Sequence, residues 1–156
     1  MSSSLVGSEM CIRDSGDLNI MTFVPNFISE TNQSRKKIPS EVLLKDAVNN
    51  MSRVALLIDS LKSGDYSYLK SATEDFIHQN IRLESFPQIK FLMGAAIEAG
   101  ALGAILSGSG PTLMVFTKGK EFTIDYELKE AARKHNLEGQ ITLTKISNKG
   151  INIINE

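Results

Sequence analysis

The order of apolar patterns along this 156-residue chain predicts an α+β fold. The expected form is an antiparallel sheet in the split βαβ arrangement of a ferredoxin-like domain, with extra helices added. Two observations carry the prediction. Without the extra helices the segments read strand, helix, strand, strand, helix, strand. In addition, a loop of small residues, Ser107-Gly108-Ser109-Gly110-Pro111, separates two apolar runs suited to adjacent buried strands.

The elements follow from local chemistry. Residues 18–23 read as a strand closing at Val24-Pro25, because proline cannot continue a ladder. A short helix is expected next, with Thr31 as N-cap and an end near Ile38 set by Pro39. Leu44, Val48, Met51, Ala55, Ile58 and Leu61 recur at three- and four-residue spacing, with Ala47, Val54 and Leu57 beside them, which gives a helix with a broad apolar face. Gly64 stops it. Asp65 caps a following helix in which Tyr68, Leu69, Ala72, Phe76 and Ile77 are expected to face inward. Pro87 suits the first turn of a helix through Ile89, Leu92, Met93, Ala96 and Ile97, and Gly100 suits its end. After the glycine loop, residues 126–135 are predicted helical. Residues 140–147 and 151–154 are predicted strands, parted by Asn148-Lys149-Gly150.

The loop from Ser107 to Pro111 is the richest candidate for chemistry. Successive glycines bring backbone N–H groups close to a ligand without side-chain obstruction, and such a concave set of donors holds anions. On pattern alone, a plain hairpin connection accounts for it equally well. Two further places hold candidates. Thr31 and Arg35 are four residues apart and would share a helix face, although an ordinary N-cap beside a solvated basic run, Arg35-Lys36-Lys37, explains them as well. His78 and Arg82 are expected near a helix C-terminus, where their charge also suits the helix dipole.

Composition narrows the function classes. With 17 basic and 18 acidic residues and a net charge of −1, the chain has no basic field for a nucleic-acid backbone. No apolar run is long enough to span a bilayer. The single cysteine, Cys11, can form no internal disulfide, which fits a reducing cytoplasm. Residues 1–16 show neither helical nor strand period nor a secretory core. They have the look of translated adapter sequence or of a natural disordered tail, and are set apart from a domain spanning residues 17–156.

The segment from Leu102 to Phe116, read with residues 24–39 and with His78-Gln79-Asn80-Ile81-Arg82, resembles the C-terminal half of the homoserine kinases. These belong to the GHMP superfamily of small-molecule kinases, and the resemblance runs from about Leu18 to the C-terminus. It implies the C-terminal domain of such a kinase. Thr31, Arg35, His78 and Arg82 would line the amino-acid pocket, with both arginines on the substrate α-carboxylate, and the glycine loop would support that pocket. The superfamily's main phosphate loop, Pro-x-x-x-Gly-Leu-Gly-Ser-Ser, occurs nowhere in this sequence. The ATP-binding N-terminal domain is therefore expected to be absent, and the chain alone to be inactive.

The implied reaction is transfer of the ATP γ-phosphate to L-homoserine, giving O-phospho-L-homoserine on the threonine biosynthetic route. ATP and Mg2+ would be held mainly by the absent domain, and a homodimer is a candidate assembly. Two positions depart from the family pattern: Asn80-Ile81 stands where proline and an aromatic are frequent, and Ser109 where alanine is common. Two other readings stay open. Another GHMP kinase acting on a different small alcohol would share the loop but would not need two arginines. A non-enzymatic ferredoxin-like ligand-binding domain would not need the loop.

Overall fold

A computed structural model describes residues 17–27 and 38–147. The strands are β1 (Asn19–Pro25), β2 (Gly103–Leu106), β3 (Leu113–Thr117) and β4 (Gly139–Lys145). The helices are α1 (Leu44–Ser63), α2 (Leu69–Ala72), α3 (Gln79–Leu83), α4 (Pro87–Glu98) and α5 (Glu121–Lys134), with a 3₁₀ turn at Tyr66–Tyr68. The strands form one sheet in the order β2-β3-β1-β4, and every neighbour is antiparallel. This is the split βαβ sheet expected from the segment order, with β1 threaded between β3 and β4.

Alternation along the strands sorts the side chains to two faces. Met21, Phe23, Ala104, Leu106, Leu113 and Val115 point to one face, where Ile89, Leu92 and Ala96 of α4 and Ile124, Leu128 and Ala132 of α5 close the main core. Ile20 and Phe116 point to the other, against Tyr66, Leu69 and the inward edge of α1 at Leu57 and Leu61. Register holds this sorting in place: Met21 pairs with Val115 and Phe23 with Leu113. A one-residue slip would turn both cores outward.

Several local expectations hold for stated reasons. Gly64 ends α1 in the left-handed conformation, φ 75°, with its N–H on the Ser60 carbonyl at 3.1 Å. Asp65 caps the next turn by accepting the Ser67 N–H at 3.0 Å. Pro87 occupies the first turn of α4.

Others are corrected. The helix expected to run from Asp65 to Ile77 is broken. The Thr73 hydroxyl donates back to the carbonyls of Leu69 and Lys70, closing α2 after one turn, and Asp75 then folds the chain by accepting the N–H groups of Ile77 and His78. Tyr68 and Phe76 are consequently exposed rather than inward, while Leu69 and Ala72 are buried as expected. His78 is the N-cap of its own helix, α3, and not the end of a longer one. Helix α5 begins at Glu121, five residues before the expected start, where the Glu121 carboxylate accepts the Gly119 N–H at 3.0 Å. Strand β1 continues through Pro25, which pairs with Gly139, and β4 covers Gly139–Lys145. The helix expected over residues 31–38 and the strand over 151–154 lie outside the described residues.

Candidate functional site

The loop between β2 and β3 is a built turn. The Ser107 N–H donates to the Thr112 carbonyl at 2.8 Å and the Gly110 N–H to the Ser107 carbonyl at 3.1 Å. Gly108 and Gly110 take φ of 60° and 75°, values that favour glycine. A Cβ at Gly108 would meet nothing within 4 Å, so this side of the loop is open. Gly110 is lined by Leu106 and the Phe86 ring at 3.4 and 3.6 Å from such a Cβ. Among the described residues the N–H groups of Gly108 and Ser109 find no acceptor. Adjacent N–H groups without acceptors in a glycine turn are donors of the kind that can hold an oxyanion.

Helix α3 is pinned to this loop at two points. Gln79 Oε1 accepts the buried Leu106 N–H at 2.9 Å, and one turn later Arg82 Nη1 donates to the Gly108 carbonyl at 3.1 Å. Arg82 is only 8% exposed, and its buried Nε has no partner among the described residues. A guanidinium carries five donors and cannot shed its charge, so a buried one with an unused donor is costly unless something anionic shares the site. The structure thus brings Arg82 and the glycine loop together.

His78 stands differently. Its Nε2 pairs with Asp75 Oδ2 at 2.7 Å, and it borders a cleft of about 200 Å3 beneath α1, with Asn50, Arg53 and Gln79. Neither Arg82 nor the loop from Ser107 to Pro111 lines that cleft. Burial pushes the Asp75 carboxyl up, but the His78 and Ile77 N–H groups and the His78 charge outweigh it, and the carboxyl lies below its ordinary range. Thr31 and Arg35 lie outside the described residues. Phe27, the last described residue before their segment, stacks on Phe86 with centroids 5.8 Å apart.

Sequence reasoning named Arg82 and the loop but passed over Gln79, Asp75 and Phe86. The Asp75-x-x-His78 spacing was the available signal for one of them, since three residues suffice for a side chain to cap and pair. Nothing in the sequence marks Gln79. Among the described residues, no three His, Cys, Asp or Glu side chains gather into a metal-ligand set. No described helix is long and apolar enough to cross a membrane.

The site is thus a glycine turn on a four-stranded antiparallel sheet with an arginine braced against it. The family described as GHMP kinases C terminal matches residues 57–138, more than half of the chain, and the chain belongs to that family. It is similar to the homoserine kinase of Clostridium beijerinckii, 36% identical over 137 residues, and to that of Aquifex aeolicus, 32% identical over 138 residues. In both cases the alignment takes in 88% of this chain and 46% of the relative, so the chain spans about half the length of the curated relatives it matches. Among solved structures, a homoserine kinase from Cytophaga hutchinsonii superimposes with a TM-score of 0.82 at 25% identity, over 86% of this chain and 44% of that one. A mevalonate kinase of L. major shares the fold at a TM-score of 0.58 and 16% identity, over 80% of this chain and 42% of that one.

Proposed function

We propose that this chain forms the amino-acid-binding half of a homoserine kinase, which transfers the γ-phosphate of ATP to the side-chain hydroxyl of L-homoserine to give O-phospho-L-homoserine. The observation that carries the reading is the buried Arg82, bonded through Nη1 to the Gly108 carbonyl of the glycine loop and with its buried Nε unpartnered among the described residues. In the proposal this guanidinium binds the α-carboxylate. Its planar fork matches two carboxylate oxygens and stays charged at any physiological pH. The names of the relatives at 32–36% identity support the same substrate.

Thr31 and Arg35 belong to the same pocket in this proposal. Support comes from the Phe27–Phe86 stack, which fixes the start of their segment beside Gly110. Four extended residues reach at most about 14 Å, so Thr31 stays within that distance of Phe27. Arg35 then joins Arg82 on the carboxylate, and Thr31 sits nearer the reacting hydroxyl. His78 acts on the pocket indirectly in this proposal: its pairing with Asp75 sets the start of α3 and hence the position of Arg82. Residues 1–16 are proposed to lie apart from the domain of residues 17–156. Nucleotide and Mg2+ are assigned mainly to a preceding ATP-binding domain, and the catalytic contribution of this half is positioning. Orientation of reactants accounts for roughly 7–11 kcal/mol of barrier lowering in well-aligned transfers.

The test joins residues 17–156 in frame behind the N-terminal half of the C. beijerinckii homoserine kinase and measures ADP release by a coupled assay. Homoserine-dependent turnover is expected. Arg82→Leu should raise KM for homoserine by about one to three orders of magnitude, at roughly 1.5–3 kcal/mol for each charged hydrogen bond lost. KM for ATP should change far less. An unchanged KM for homoserine would remove Arg82 from the pocket.

A further inference from the structure

The two edges of the sheet are treated differently. On one, Gln79 takes the Leu106 N–H of β2 and α2 packs against Gly103, so that edge is guarded. On the other, β4 pairs only with β1 among the described residues, and the N–H and C=O groups on its outer side have no part in the sheet. This edge, Gly139–Lys145, is largely exposed and long enough to recruit a further strand. Beside it runs a cleft of about 590 Å3 between β4 and α5, lined by Met21, Ile141, Leu143, Phe122 and Asp125. Leu143 and Phe122 stand open to solvent, at 52% and 92% exposure.

The sequence that leaves β4 has the chemistry to fill both. The run Ser147-Asn148-Lys149-Gly150 carries the residues of a type I turn, with a short polar side chain at the first position and glycine at the fourth. Closed by that glycine, such a turn is a common three-residue connection of a hairpin. It sets Ser147 opposite Ile151, and the register continues with Lys145 opposite Ile153 and Thr144 opposite Ile154. Directly opposite residues share a face. Leu143 and Lys145 belong to the face turned toward α5, because their partners in β1 are Met21, in the main core, and Asn19, which donates to Glu121. In this register Ile151 and Ile153 fall on the side of the cleft, with Asn152 and Ile154 on the other.

We infer that the outer edge of β4 is a docking surface for the chain's own residues 151–154, which pair with it antiparallel as a fifth strand and lay Ile151 and Ile153 over the cleft beside Leu143 and Phe122. An open edge invites pairing with other chains, and filling it from within the same chain removes that hazard. Proximity favours this occupant. A short connection holds the segment beside the edge at an effective concentration of about millimolar, which a separate chain has to match from solution. The inference does not depend on the kinase reading.

A disulfide trap on the full chain tests this, with Cys11→Ser removing the one native thiol. Thr144→Cys with Ile154→Cys sets two thiols directly opposite, at the roughly 4.5–5.5 Å between Cα atoms that a disulfide spans. Mild oxidation should close this bond within one chain, read as loss of free thiol at unchanged mass on a non-reducing gel. Thr144→Cys with Ile151→Cys, out of register and on opposite faces, should close about tenfold more slowly or not at all. Hydrogen exchange gives a second readout without cysteines. The β4 amides that point away from β1 should be protected in the full chain and exchange roughly tenfold faster or more in a chain ended at Ser147. Equal trapping of the two cysteine pairs would overturn the inference, as would β4 amides that exchange alike with and without residues 148–156. A disulfide formed only between chains would also overturn it, by giving the edge to a second copy.

Discussion

Gln79 and Leu106 are 27 positions apart, yet the side-chain carbonyl of Gln79 accepts the Leu106 N–H at 2.9 Å, with both groups buried. This bond sits where β2 ends and the glycine loop begins, one helical turn before Arg82 reaches Gly108. It sets the distance between the arginine helix and the loop. Gln79→Leu should leave a buried N–H unpaired and cost about 1–3 kcal/mol, read by urea unfolding. In the rebuilt two-domain enzyme it should also raise KM for homoserine, because Arg82 is then held at one point instead of two. A stability loss with KM unchanged would limit Gln79 to the fold.

Two glycines should respond to alanine for different reasons. At Gly103 an added Cβ would lie 2.8 Å from the Thr73 hydroxyl and 3.1 Å from the Leu69 carbonyl, so Gly103→Ala forces β2 away from α2. About 1–3 kcal/mol of destabilisation is expected. At Gly108 nothing obstructs the Cβ, and Gly108→Ala should cost only the left-handed conformation, about 1 kcal/mol. Its larger effect should fall on ligand affinity, since the methyl group fills the open side of the loop. Thermal unfolding beside homoserine titration of the rebuilt enzyme separates the two outcomes.

Acid should loosen the turn before α3. The Asp75 carboxyl is held below its ordinary value of 3.8, so the folded state binds this proton less tightly than the unfolded chain. The stability it contributes is fully present above about pH 4 and is lost as pH falls through the lower folded value. Asp75→Asn should therefore be less stable than the parent at neutral pH and converge on it below pH 4. Parallel curves for the two proteins across that window would assign the effect to the turn rather than to the charge.

The chain by itself should show no ATP-dependent phosphorylation of homoserine, because the Pro-x-x-x-Gly-Leu-Gly-Ser-Ser run that positions nucleotide in this superfamily does not occur in its sequence. Purified protein, homoserine and ATP in a coupled assay decide it. Homoserine-dependent ADP release that Gly108→Asp abolishes would place a nucleotide site on this half.

The sheet was legible because its strands read as short apolar runs with clear ends, as at Leu106 and Leu113 on either side of the glycine loop and at Val24-Pro25, and the order of segments matches a known arrangement. The loop and Arg82 were legible from small-residue spacing and from the resemblance. Side chains that bond back to backbone were not. Thr73 and Asp75 both look compatible with a helix running to Ile77, and only their bonds to Leu69, Ile77 and His78 break it. The start of α5 was hidden because Phe122, 92% exposed, interrupts the period that Ile124 and Leu128 complete. The apolar pattern of α1 predicted a helix correctly, but a stripe of leucine and methionine cannot tell which partner it faces.

Strand β1 lies between β3 and β4, although it precedes both along the chain and its partners come later by 90–98 positions in β3 and 114–126 in β4. The sheet therefore cannot close from its C-terminal part alone: β2 and β3 can form a hairpin, but β4 cannot join it until β1 arrives. Folding has to wait for a distant encounter, which makes it slow relative to a helical bundle of this size. Once that encounter has occurred, lengthening the intervening segment costs little, because loop-closure entropy grows only with the logarithm of length. The helices between Pro25 and Pro87 thus occupy a place in the chain where evolution can add or reshape elements without redrawing the sheet.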